Sequence, residues 1–87
     1  MVTVINTHEV TDFNTWKSLF DNGAENRKRA GVNIVNVYHD NGNSNKVTVV
    51  SEVADAEIAK AYTANLKPIL QNILVGEPEI MILNKIG

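Results

Sequence analysis

The chain has 87 residues, eight basic against ten acidic side chains for a net charge of −2, and no cysteine. A chain of this length buries only about 60% of its unfolded surface, so one domain spanning residues 1–87 is expected, held together by packing or by a partner. The lack of Cys excludes a disulfide framework, a thiolate zinc site and a thiol nucleophile, and fits a reducing compartment. No basic run is long enough to follow a phosphate backbone, which argues against nucleic acid. The opening Met-Val-Thr-Val-Ile-Asn has neither a charged leader nor a long apolar stretch, and no window approaches about 18 apolar residues. A cytoplasmic protein with no membrane contact is the expectation.

Val2, Val4, Asn6, His8 and Val10 alternate with Thr3, Ile5, Thr7 and Glu9, a period-2 pattern rich in β-branched residues that predicts a first strand ending near Glu9. Thr11 and Asp12 offer N-cap oxygens to a first helix in which Phe13, Trp16, Phe20, Ala24 and Arg27 recur at helical spacing through Ala30. Gly31 stands where a left-handed C-cap belongs, and Gly23 inside the helix costs about 1 kcal/mol relative to Ala unless it marks a close backbone contact. A second strand from Val32 to His39 leads into Asp40-Asn41-Gly42-Asn43-Ser44-Asn45, a hairpin turn by composition, and Lys46 to Val53 returns antiparallel. Asp55 caps a second helix with Ala59, Tyr62 and Leu66 on one stripe. Because Pro68 removes a backbone donor, the pattern predicts a break at Asn65 and a short new helix from Leu66 to Leu74. Gly76 and Pro78 then punctuate the exit, and Glu79 to Ile86 reads as the last strand.

The order strand, helix, strand, strand, helix, strand is that of a ferredoxin-like βαββαβ α+β sandwich. Each strand carries apolar residues on both faces: Val4 and Ile5, Ile34 and Val35, Val49 and Val50, Ile82 and Leu83. Right-handed crossovers put both helices on the same side of the sheet, so the other apolar face has no cover within the chain. An identical sheet related by a two-fold axis covers it most simply, which predicts a homodimer through the open sheet face.

Four segments point to a known family: Val-Thr-Val-Ile-Asn-Thr-His-Glu-Val-Thr-Asp-Phe-Asn-Thr-Trp-Lys from position 2, Ala-Gly-Val at 30–32, Val-Ala-Asp-Ala-Glu at 53–57 and Gly-Glu-Pro-Glu-Ile at 76–80. Together they resemble the dimeric α/β barrel superfamily, and within it the small stand-alone members of the antibiotic-biosynthesis monooxygenase and cyclase kind. The resemblance implies a dimeric barrel built on the ferredoxin-like fold. That superfamily also holds haem-degrading enzymes, isomerases and stress-response proteins, and a fold does not choose among them. The haem-degrading relatives pair a strand-one asparagine with a tryptophan and a histidine near the second helix. Asn6 or His8 could stand for the first, but no Trp or His occurs between Val53 and Leu74. For the anthrone-type oxygenases, Trp16 and Tyr62 could help bind a phenolic substrate, although Trp16 is on the first helix, not where those enzymes place theirs.

His8 is the candidate catalytic residue. It shares the inner face of the first strand with Val2, Val4 and Asn6, where a neutral imidazole serves as a base or binds a substrate oxygen; the alternative is a core histidine satisfied by a backbone carbonyl. Asn6 adds a second polar group to that layer, which needs a partner or a ligand. Trp16 and Phe20 on the first helix and Tyr62 on the second are candidate walls of a ligand site, against a plain role in packing. If Tyr62 and His8 converge, a pocket between sheet and helices follows. His8 and His39 lie on different strands with no Cys to join them, so no metal site is expected, and no glycine-rich loop suggests a nucleotide; no cofactor is predicted. Arg27, Lys28 and Arg29 read as solvated surface that offsets the helix dipole, with Glu25 placed to pair with Arg29. Two functions stay open. One is a non-catalytic module of the small-ligand-binding or stress-response type; the other is a cofactor-independent monooxygenase or cyclase acting on a small aromatic or polyketide-like substrate.

Overall fold

The computed structural model describes residues 1–87. Its elements are β1 (Val2–Val10), α1 (Phe13–Asn22), α2 (Ala24–Ala30), β2 (Asn33–Asp40), β3 (Asn43–Val53), α3 (Ala56–Leu70) and β4 (Leu74–Asn84). The four strands form one antiparallel sheet in the order β2-β3-β1-β4, with β1 between β3 and β4. This is the ferredoxin-like α+β arrangement that the strand and helix order predicts.

The inner face of β1 is as the alternation requires: Val2, Val4, Asn6, His8 and Val10 are all buried beneath the helices. Asp12 caps α1 by accepting from the Thr15 amide at 2.9 Å, and Asp55 caps α3 by accepting from Ile58 at 2.9 Å. Gly31 ends α2 in the left-handed region at φ 76°.

Four expectations need correction, the smallest being the hairpin: β3 begins at Asn43, paired with Asp40, so the turn is Asn41-Gly42 and the strand does not wait for Lys46. The first helix is two helices, because the chain turns at Gly23 (φ −84°, ψ 1°), whose amide is shared between the carbonyls of Leu19 and Phe20. The apolar stripe shifts there, so Ala24 is exposed while Arg27 is buried. The second helix does not break at Asn65 but runs through Pro68 to Leu70. Pro68 sits in the last turn, where it forfeits a single bond to the exposed Ala64, and burial of Leu70 against the sheet holds the turn in place. The final strand begins at Leu74, not Glu79, so Gly76 and Pro78 lie within β4. Both are accommodated by an irregularity: pairing jumps from Thr7↔Glu79 to Glu9↔Val75, and Gly76 has φ 76°. A proline is tolerated at a bulge on an edge strand because no neighbour needs its missing N–H.

The core falls into two clusters on the inner face. One gathers Val2, Val4, Val32, Val53 and Ala59; the other gathers Val10, Trp16, Val47 and Leu70. Asn6 and Ser51, both buried and polar, come between them along β1 and β3. On the opposite face, Met81 is 50% exposed and Tyr38 53%, and Val35 and Leu83 are exposed as well. No helix is long and apolar enough to cross a membrane.

Candidate functional site

Where the two clusters separate, a cavity of about 420 Å³ opens between the inner face of the sheet, α1–α2 and α3. Its floor is Val4, Asn6 and His8 of β1 with Val49 and Ser51 of β3. Trp16, Leu19, Phe20, Asn26 and Arg27 form one wall, and Ile58, Tyr62, Leu66 and Ile69 of α3 the other. All five site residues expected from the sequence line it: His8, Asn6, Trp16, Phe20 and Tyr62.

His8 is 5% exposed. Its Nδ1 lies 3.2 Å from Asn6 Oδ1, two residues back on the same strand face. An amide oxygen only accepts, so Nδ1–H donates and the neutral ring keeps its lone pair on Nε2. Nε2 is buried and has no hydrogen-bond partner. Burial pushes the imidazole below its ordinary pKa, because desolvation penalises the cation. The β4 irregularity lies beside this residue: His8 falls in the interval between the Thr7 and Glu9 pairings and has no Cα partner on β4. Bulges commonly re-aim a side chain next to a functional site.

Trp16, 2% exposed, connects the floor to the wall. Its ring is 5.9 Å from His8 and stacks on Phe20 at 5.0 Å, one helical turn further along α1. Phe20 in turn carries the Arg27 guanidinium 4.0 Å above its ring. Tyr62 is half-buried; desolvation pushes its phenol up, opposed by the neighbouring Arg27 cation.

Arg27 corrects the reading of a solvated basic cluster, since it is 8% exposed and lines the cavity. Arg29 does remain at the surface, donating to Asn26 Oδ1 at 2.6 Å and not to Glu25. The signal for Arg27 was present in its spacing, seven residues beyond Phe20 on the core stripe, but charge argued against burial. Ser51 was missed although it shares the inward alternation of Val47, Val49 and Val53, because a lone serine on a strand signals no particular chemistry. No three His, Asp or Glu side chains converge on a point where a metal would sit.

The fold and cavity define a small ferredoxin-like α+β protein with a partly open cavity between sheet and helices. Solved structures of the same fold include an antibiotic biosynthesis monooxygenase, 10% identical over 100% of both chains with a TM-score of 0.77. A conserved protein from Methanosarcina mazei Go1 is 21% identical, covering 97% of this chain and 91% of its own, with a TM-score of 0.77. An uncharacterized NIPSNAP domain protein from Burkholderia xenovorans is 13% identical, covering 99% and 95%, with a TM-score of 0.70. At these identities the likeness establishes the fold, in agreement with the resemblance read from the sequence. No family model and no curated protein matches the chain.

Proposed function

We propose that residues 1–87 act as one domain that binds a small, largely apolar, aromatic ligand in the cavity between sheet and helices, and that works as a homodimer paired through the open sheet face. The cavity carries this reading: about 420 Å³, mostly apolar walls, and a few polar groups from Asn6, His8, Ser51 and Tyr62. Ligand sites have this size and make-up, whereas a core without a function would be filled. The homodimer rests on the exposed apolar residues of the opposite face, Val35, Tyr38, Met81 and Leu83, which no helix covers.

The orphan Nε2 of His8 favours a second reading, in which the bound molecule is turned over. A neutral imidazole takes a proton from a phenol or an activated C–H onto Nε2, and Asn6 Oδ1 holds the Nδ1–H of the cation that forms. The electron pair stays on the substrate, whose anion then carries the reaction with oxygen or a ring closure. This is the cofactor-independent monooxygenase or cyclase reading.

Trp16 is the sole tryptophan and lines the cavity, so its fluorescence reports occupancy. Titration with 2-naphthol is expected to quench it saturably, and unchanged emission across naphthol- and anthrone-sized probes would overturn the binding reading. His8→Gln separates the two readings. If the protein is an enzyme, turnover of an anthrone followed by oxygen uptake falls about 10²- to 10⁴-fold while probe affinity changes far less. If it is a binding module, the wild type shows no turnover to lose.

A further inference from the structure

Arg27 is the only charged side chain lining the cavity, and no carboxylate lines it with Arg27. The two ion pairs of the molecule, Lys17 with Asp21 and Lys67 with Glu77, both lie on exposed surface and do not involve it. No nitrogen of its guanidinium is both shut off from solvent and unpartnered, so the cation faces the open side of the cavity. Within the chain its neighbours are the face of Phe20 at 4.0 Å and Tyr62. Gly23 leaves room for this arrangement, since a Cβ at that position would stand 3.0 Å from Arg27 Nη1 and push the guanidinium slightly aside. The chain has thus given up a side chain on the helical stripe and broken a helix where a cation folds back over an aromatic ring into a ligand-sized space.

We infer that the ligand is an anion: an aromatic carboxylic acid, or an acid of like shape, whose carboxylate is gripped by the Arg27 guanidinium while its apolar body lies among Val4, Leu19, Phe20, Val49 and Leu66. The inference rests on the reading that this cavity holds a ligand, and it names the chemical class. The planar fork of Arg matches a carboxylate with two parallel N–H···O bonds, which a lone ammonium does not offer. His8 stands on the sheet floor and Arg27 on the helical wall, so the site has two distinct polar poles. The acid takes the Arg27 pole; a hydroxyl elsewhere on the same molecule donates to His8 Nε2. A ligand with both groups, a hydroxylated aromatic acid, satisfies the Arg27 guanidinium and His8 Nε2 together.

The test compares 2-naphthoate with 2-naphthamide, which share an apolar body and differ in charge, by Trp16 fluorescence and by calorimetry on the wild-type protein. The acid is expected to bind about 10- to 100-fold more tightly than the amide. Arg27→Gln is expected to abolish that preference by weakening the acid alone, and Arg27→Lys to recover part of it. Adding a hydroxyl, as in 3-hydroxy-2-naphthoate, is expected to tighten binding in the wild type but not in His8→Gln. If acid and amide both bind with equal affinity, the anion inference falls and the cavity reading stands. If neither binds, both fall. The wild-type comparison decides the matter even if Arg27→Gln does not fold, and an Arg27 that serves only to pack Phe20 gives no preference for the acid.

Discussion

Replacing Gly23 by Ala sets two effects of known size against each other at one atom. Gly23 caps α1 and precedes α2, and its φ of −84° is open to any L-residue, so Ala favours folding by about 0.4–1 kcal/mol through a less flexible unfolded chain. The new methyl meets Arg27 Nη1 at 3.0 Å, with the Phe20 and Leu19 carbonyls at 3.4 and 3.6 Å. Ordinary contact needs about 3.5 Å or more, so the guanidinium must retreat by about half an ångström. Because it is the far end of a flexible side chain, it moves at small cost, losing part of a stacking interaction worth about 1–2 kcal/mol. The two effects nearly cancel, and the melting temperature is expected to shift by less than about 8 °C in either direction. Binding has no such compensation, since the displaced fork no longer meets the acid. Thermal unfolding by circular dichroism beside 2-naphthoate titration of Trp16 fluorescence is expected to show near-unchanged stability with about tenfold weaker acid binding. Destabilisation beyond about 3 kcal/mol would show Arg27 to be rigidly fixed, and an unaltered preference for the acid would show that the guanidinium does not grip it.

His8 links stability to pH. Its folded-state pKa lies below the unfolded value of about 6.5, so the unfolded chain takes up a proton that the native chain refuses, and stability falls as the pH drops through and below 6.5. Urea midpoints measured between about pH 7 and pH 5 are expected to decline in the wild type and to decline less in His8→Gln; parallel curves would sink the assignment. Met81→Lys places a charge on the open face at a site already half exposed, with little effect on a monomer but a large one on a paired sheet. Sedimentation is expected to give a dimer for the wild type and a folded monomer for the variant, and a monomeric wild type would end the case for pairing. Gly76→Ala puts a Cβ into open space at φ 76°, so the whole loss is backbone strain of about 1–2 kcal/mol, measurable as a urea midpoint shift; no shift would mean that the β4 irregularity relaxes freely.

Much of this architecture is legible along the chain because its signals are local. The alternation from Val2 to Val10, the caps Asp12 and Asp55, and the left-handed Gly31 each act within one turn or one strand, and each is found where the residues demand. The same alternation turned Asn6 and His8 inward, and helical spacing turned Trp16, Phe20 and Tyr62 toward them. Contacts between distant segments settle the places where local and long-range forces conflict. Pro68 argued for a break, but a missing bond near a helix end costs less than losing the buried Leu70. Pro78 argued for an exit, but an edge strand with a bulge has no use for the missing donor. Arg27 argued for solvent, and only the turn at Gly23 and the ring of Phe20 brought its charge inside. The order of elements, the buried face of the sheet and the residues available to a site follow from local patterns along the chain. The cavity, the bare Nε2 of His8 and the unpaired cation came from how two core clusters fail to meet over polar residues, a property of packing between segments distant in the chain.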